Sequence, residues 1–368
     1  MASFEDLARP CVRKFSPYVP GRPIEEIKAR FGLQRVIKLA SNENPLGPSP
    51  RALEAIPACL GDLNRYPEGG STRLRSAIAR KWGVEPSCVI VGSGSDELLD
   101  LLARTFVGKG DEIVISRHAF IRYRMAGEIM EARVVEVPMV PGLRHDLQAM
   151  RKAITARTKV VFIANPNNPT GSFVTRQEFA VFLEGLRQDI IIAMDEAYFE
   201  YARHLPEYPD SIGARAGHRG IVSFRTFSKI YGLAGLRTGY AIADPEVILQ
   251  MDRIRAPFNI TIPAQAACEA ALQDEAHVLR ATELNRSVME WLCGELVRRG
   301  VESIPSATNF LLIRTRKLGV AVFEGLLARG IIVRPMAEYG LQEWIRVTLG
   351  TREETELFLK GFLEVEAL

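Results

Sequence analysis

Cysteine is scarce in this chain, and what there is does not pair. Cys11, Cys59, Cys88, Cys268 and Cys293 are the only five in 368 residues, widely spaced and never in a C-x-x-C arrangement. That pattern argues against a disulfide framework and against a thiolate metal site, so a reducing, cytoplasmic setting is expected. Histidine is equally sparse: His118, His145, His204, His218 and His277 form no i, i+4 pair and no H-E-x-x-H motif, so no metal is expected. No apolar run approaches the roughly 18 residues of a bilayer span. The start, Met1-Ala2-Ser3-Phe4-Glu5-Asp6, carries acids where a signal peptide needs a basic region; neither export nor a membrane partner is expected. An excess of one charge is missing too. Lys and Arg number 47 against 44 Asp and Glu, a net +3 that is too small to argue for nucleic acid.

What is present is the composition of a folded globular protein, 47% apolar and 25% charged, which excludes a disordered or collagen-like chain. The length suggests about two domains. Pro and Gly punctuate the first 45 residues, around Ser16-Pro17-Tyr18-Val19-Pro20-Gly21 and Asn44-Pro45-Leu46-Gly47-Pro48, a pattern that marks an arm instead of a domain. Beyond it, β-branched runs at Cys88 to Val91, Glu112 to Ile115, Val160 to Ile163 and Ile190 to Ala193 alternate with helical stretches such as Asp96 to Thr105 and Thr175 to Leu186. Alternation of this kind predicts an α/β unit with a mainly parallel sheet between helices. A helix-rich stretch from Pro263 is followed by strand-like runs at Asn309 to Ile313, Gly330 to Val333 and Trp344 to Leu349. The expected division is an arm over 1–45, a large unit over 46–260 and a small α+β unit over 261–368.

Four segments carry chemistry. Gly92-Ser93-Gly94-Ser95-Asp96-Glu97 follows a strand and opens an apolar helix, as a phosphate cradle does; a plain N-cap by Ser95 or Asp96 is the simpler alternative. Asn165-Pro166-Asn167-Asn168-Pro169-Thr170-Gly171 sets Asn168 at the carboxyl end of a strand, the edge where ligands bind in open α/β sheets, although a plain turn has the same composition. Asp195 ends the apolar run Ile190 to Met194, where a buried carboxylate needs a partner. In Thr226-Phe227-Ser228-Lys229-Ile230-Tyr231, the amine of Lys229 sits among apolar side chains, with Arg237 eight positions on. Such surroundings depress an amine's pKa and favour Schiff-base chemistry.

Taken in this order, together with Ser41-Asn42-Glu43-Asn44-Pro45, Asn64-Arg65-Tyr66-Pro67 and Ile345-Arg346-Val347-Thr348-Leu349-Gly350, the four segments resemble the fold type I family of pyridoxal-phosphate enzymes. Within it the resemblance is greatest to the class II aminotransferases, and among those to the enzymes that move an amino group between histidinol phosphate and 2-oxoglutarate in histidine biosynthesis. The resemblance implies a fold type I transferase: a large domain with a mostly parallel seven-stranded sheet between helices, plus a smaller α+β domain that the arm joins. It implies two half-reactions by way of pyridoxamine phosphate. The alternatives on the same scaffold are an aromatic or broad-range amino-acid aminotransferase and a phosphoamino-acid decarboxylase. A non-catalytic amine-sensing module is disfavoured by the presence of both Lys229 and Asp195.

By that resemblance, Lys229 is expected to bind the aldehyde of pyridoxal 5'-phosphate and then to shuttle the substrate proton, while Asp195 pairs with the ring nitrogen. Tyr198 and Asn168 are expected at the ring's phenolic oxygen and Phe120 on the ring face, where relatives often have Tyr. Gly94, Ser95, Asp96, Thr226, Ser228 and Arg237 are expected to hold the phosphate, joined by Tyr66 of a second subunit, which implies a homodimer with a shared site. Tyr18, Asn42, Asn168, Arg334 and Arg346 are expected around the substrate, Arg346 clamping its anionic end.

Overall fold

The structure is a computed structural model that describes residues 4–17 and 24–367. Thirteen strands occur among them: β1 (Ile37–Lys38), β2 (Val89–Gly92), β3 (Glu112–Ser116), β4 (Arg133–Val137), β5 (Thr158–Ala164), β6 (Ile191–Asp195), β7 (Ile221–Thr226), β8 (Gly239–Ile242), β9 (Ser303–Ile304), β10 (Phe310–Arg314), β11 (Ile331–Ile332), β12 (Arg334–Pro335) and β13 (Trp344–Thr348). Seven of them form one sheet in the order β2-β8-β7-β6-β5-β3-β4. Every pair is parallel except those of β8, which runs antiparallel to both β2 and β7. The sheet is therefore seven-stranded and mostly parallel, as predicted.

This sheet is apolar on both faces because helices cover both. Along β5, Val160, Phe162 and Ala164 enter one cluster with Leu98, Leu102 and Tyr123, while Val161 and Ile163 enter another with Phe179 and Phe182. A strand with alternate residues in two cores needs no polar face, and so reads as an unbroken hydrophobic run. The helix Gly94–Phe106 buries Leu98, Leu99, Leu101 and Leu102, spaced as one stripe of a 3.6-residue repeat.

A second sheet, in the order β12-β13-β10-β9, is antiparallel throughout. The helices Glu275–Arg298, Gly319–Leu327 and Arg352–Glu366 contribute Leu292, Val322, Phe358 and Phe362 to its core, with Leu311, Ile313 and Val347 from the strands. The helix Ile262–Ala271 precedes them and packs its small buried face of Ala264, Ala267, Cys268 and Ala271 with the helix Thr72–Trp82 beside the larger sheet. Among the described residues, no helix is long and apolar enough to cross a membrane.

The arm does more than punctuate, which corrects the expectation drawn from its Pro and Gly content. It forms the helix Ile24–Phe31, anchored by buried Ile27, and β1, which pairs in parallel with β11. A two-residue strand has no periodicity of its own; only the partner edge at Ile331–Ile332 makes it one.

Candidate functional site

The carboxyl edge of the large sheet gathers the chemistry. Asp195 is the last residue of β6 and Thr226 the last of β7; the loops leaving β2, β3 and β5 open on the same edge. Asp195 is buried, its Oδ2 accepts from the Tyr123 hydroxyl at 2.6 Å, and its Oδ1 accepts from the Ala197 N–H at 3.2 Å. Burial pushes its carboxyl up to about 6, against the opposing pull of these two donors.

Lys229 stands on the loop after β7, half-buried, its Nζ donating to the Ser41 carbonyl at 3.1 Å and lying 5.8 Å from the centre of the Tyr198 ring. Burial first, and then the positive charge of Arg346, push its amine down to about 8. An amine held there has a sizeable neutral, nucleophilic fraction near neutral pH, which an ordinary lysine lacks.

Around these two groups the arm and the small sheet close in. The Asn42 amide donates to the Tyr198 hydroxyl at 2.8 Å, leaving that hydroxyl's own proton available, and burial holds the phenol up at about 12. Asn42 is itself fixed by Thr348, which receives its N–H at 2.9 Å and donates to its Oδ1 at 3.1 Å. Arg346 of β13 donates through Nη2 to the Ala40 carbonyl at 2.9 Å and through Nη1 to Oδ1 of Asn168. Its Nε is buried without a partner, a donor in reserve beside the amine.

The start of the helix Gly94–Phe106 is shaped by absent side chains. Gly94 has φ +81°, and a Cβ there would come 2.5 Å from Nη2 of Arg237; a Cβ on Gly239 would come 2.6 Å from the Ser95 nitrogen. Glycine at both places lets the helix N-terminus and the Arg237 guanidinium converge. The simpler N-cap alternative does not hold: the cap is Ser93, without a side-chain hydrogen bond, and Ser95 and Asp96 lie inside the first turn. Glu97 receives the Ser93 N–H instead and is steadied by Asn259 at 2.9 Å, which is in turn held by Arg255 at 2.8 Å. Thr226 and Ser228 flank the same end, buried and joined by the Ser228 N–H donating to Thr226 Oγ1 at 3.1 Å.

Most of the predicted positions thus converge. Phe120 opens the helix Ile121–Ile129 half-buried, edge-on to Tyr123 with ring centres 5.8 Å apart. Arg334 lies directly across from Arg346 and is engaged by Glu338. Tyr66 stands apart, 81% exposed and stacked on Phe258 at 4.8 Å. Tyr18 lies outside the described residues.

Comparison with known proteins gives the family and the fold. The family model for aminotransferase class I and II matches residues 34–362. The chain belongs to that aminotransferase family. A histidinol-phosphate aminotransferase of Moorella thermoacetica is 43% identical to it over 98% of this chain and 93% of its own length. One from Anaeromyxobacter sp. is 45% identical over 95% and 96%. Among solved structures, the histidinol-phosphate aminotransferase of Sinorhizobium meliloti in complex with pyridoxal-5'-phosphate superposes with a TM-score of 0.87 at 28% identity, covering 97% of both chains.

The sequence did not disclose every functional residue of this aminotransferase. Tyr123 is not legible in the sequence as the donor to Asp195; its one signal is its place in the first turn of the helix that Phe120 caps. Behind the site lies a second buried set. Arg225 of β7 gives Nε and Nη2 to Oε2 of Glu196 at 3.0 and 2.9 Å, between the rings of Trp82 at 4.0 Å and Phe199 at 3.5 Å. This pair joins the ends of β6 and β7, the strands that present Asp195 and Lys229.

Proposed function

We propose that this aminotransferase holds pyridoxal 5'-phosphate and moves an amino group between histidinol phosphate and 2-oxoglutarate. The observation that carries the cofactor is a combination at one sheet edge: an amine at Lys229 held down by burial, and a buried carboxyl at Asp195 whose two oxygens already have donors. The residues present suit such a group. The Gly94 cradle beside Arg237, with Ser95, Thr226, Ser228 and the backbone N–H of Asp96, matches a phosphate, and a carboxylate at Asp195 would balance a positive ring nitrogen. When bound, the cofactor supplies an aldehyde to receive the amine and a pyridinium ring to accept the electron pair left as the Cα proton departs.

The chain's own groups do the rest. Lys229 Nζ, pushed down to about 8, would take the proton from the substrate's Cα and hold it for return. Asp195 would meet the ring nitrogen as a carboxylate, its charge stabilised by Tyr123 and the Ala197 N–H. Tyr198, oriented by Asn42, and the amide of Asn168 would be donors for the ring's phenolic oxygen, and Phe120 would face the ring. Arg346 offers its unpaired Nε to the substrate's anion, with Asn42 and Arg334 at hand; Tyr18 belongs to the same expected set. The names of the relatives support histidinol phosphate as the compound taken. The same reading assigns cofactor binding to residues 46–260 and the closing contacts to 261–368 with the arm, in a cytoplasmic homodimer. The exposed rings of Tyr66 and Phe258, with Leu60, Leu63 and Ile254, support a face for the second copy, to which Tyr66 would bring its hydroxyl.

The test is a substrate profile of the cofactor-loaded enzyme. Histidinol phosphate should exceed phenylalanine in kcat/KM; the reverse order would transfer the assignment to a broad-range aminotransferase. Lys229→Ala should bind cofactor without forming the borohydride-reducible link.

A further inference from the structure

We infer that Glu338 is a specificity residue of this site: an internal carboxylate occupying the Arg334 fork that a substrate's second negative charge must displace. The inference deepens the proposed reading, resting on its two-substrate chemistry. Arg334 and Arg346 are directly opposed on the antiparallel strands β12 and β13, so both side chains rise from one face, where two like charges repel. The two cations are held differently. Arg346 is buried and has only Nε unmatched, its Nη groups being engaged by Asn168 and Ala40. Arg334 gives both Nε, at 3.1 Å, and Nη2, at 2.7 Å, to a single oxygen of Glu338. That is the edge of the guanidinium a carboxylate or phosphate ligand would use.

Glu338 is placed for this by its turn. The segment Ala337–Tyr339 is tied to the loop carrying Phe120 through a 2.7 Å contact between the Tyr339 carbonyl and Nδ1 of His118. The pair is also open to exchange: the Arg334 and Glu338 side chains are 31% and 40% exposed, a setting in which an ion pair gains little over water. With Glu338 in place the two arginines present one net positive charge; with Glu338 swung out they present two. An amino donor bearing two carboxylates and an acceptor bearing one phosphate place different charge at this end, and a movable counter-ion lets one pair of arginines serve both.

The experiment uses the cofactor-loaded enzyme, whose cofactor phosphate site is filled, and inorganic phosphate as probe, followed by the change in cofactor absorbance. Glu338→Gln keeps the acceptor oxygen and removes the charge. Phosphate should bind this variant roughly two- to fivefold more tightly at low salt, a gain that fades as ionic strength rises. Glu338→Ala should show the same direction. In Arg334→Gln, adding Glu338→Gln should bring no such gain, because the charge it relieves is gone. The KM for histidinol phosphate should fall more than that for unphosphorylated histidinol. Phosphate affinity unchanged in Glu338→Gln, or an equal gain without Arg334, overturns the inference. If histidinol phosphate is no substrate while the phosphate effect persists, the proposed function fails and the role of Glu338 stands.

Discussion

Replacing Tyr123 with Phe would remove one hydroxyl and leave the ring, which stacks on Phe162 at 4.9 Å and 8°. The fold should therefore survive, and the effect should fall on Asp195. Its Oδ2 accepts the Tyr123 hydroxyl at 2.6 Å in a fully buried setting, and a hydrogen bond to a charged group there contributes about 1.5–3 kcal/mol. At about 1.4 kcal/mol per factor of ten, the ionised carboxylate loses tenfold or more of its preference over the protonated form. In the cofactor-free protein, carbon-13 NMR of labelled aspartate should find Asp195 titrating above its value of about 6 in the parent. In the loaded enzyme the shared proton should move from the ring nitrogen toward Asp195, seen as a nitrogen-15 shift of labelled cofactor. Single-turnover amino transfer should slow by about tenfold, since a neutral ring is a weaker electron sink. An Asp195 titration that does not move, with a transfer rate within twofold of the parent, would refute the reasoning.

Three further outcomes are expected. Glu196→Gln leaves the Arg225 charge buried without its counter-ion, so urea denaturation should show a loss of about 3 kcal/mol or more; a loss below about 1 kcal/mol would contradict a buried ionic pair there. Glu200 is buried and pushed up to about 7 by that burial, so the folded state keeps a proton that the unfolded chain gives up near 4.5. Its neutral form is favoured below that pH, and as pH rises through 7 stability should fall by about 3 kcal/mol in all. The stability advantage of Glu200→Gln should accordingly grow between pH 5 and pH 8, and an advantage that is flat with pH would discount the raised carboxyl. Gly94→Ala puts a Cβ 2.5 Å from Arg237 Nη2 at φ +81°; a spectral titration should show cofactor affinity falling about tenfold, with a left-handed alanine adding roughly 1–2 kcal/mol of strain.

Much of the fold was legible in the chain because its signals are local. Val160 to Ala164 of β5 and Ile191 to Met194 of β6 are apolar without interruption, as strands covered on both faces are, and the helix Gly94–Phe106 carries its leucines at helical spacing. Lys229 and Asp195 were legible for a related reason: each is a charged residue at the end or in the middle of an apolar segment, where its burial cost demands a purpose. The arm's strand β1 had no such signal, since a two-residue strand exists only through its partner β11.

The sequence by itself determined the alternation of strands and helices, the glycines where the chain must run close, and which residue types stand at the strand ends. Tertiary structure decided the pairings: the Tyr123 hydroxyl on Asp195, the Asn42 amide on Tyr198, Arg346 over Asn168, and Glu338 in the fork of Arg334. The physical reason is range. Propensity and periodicity act over a few neighbouring residues, whereas the proton affinity of Asp195 depends on burial and on Tyr123, 72 positions away, and that of Lys229 on burial and on Arg346, 117 positions away, which only the closed fold brings near.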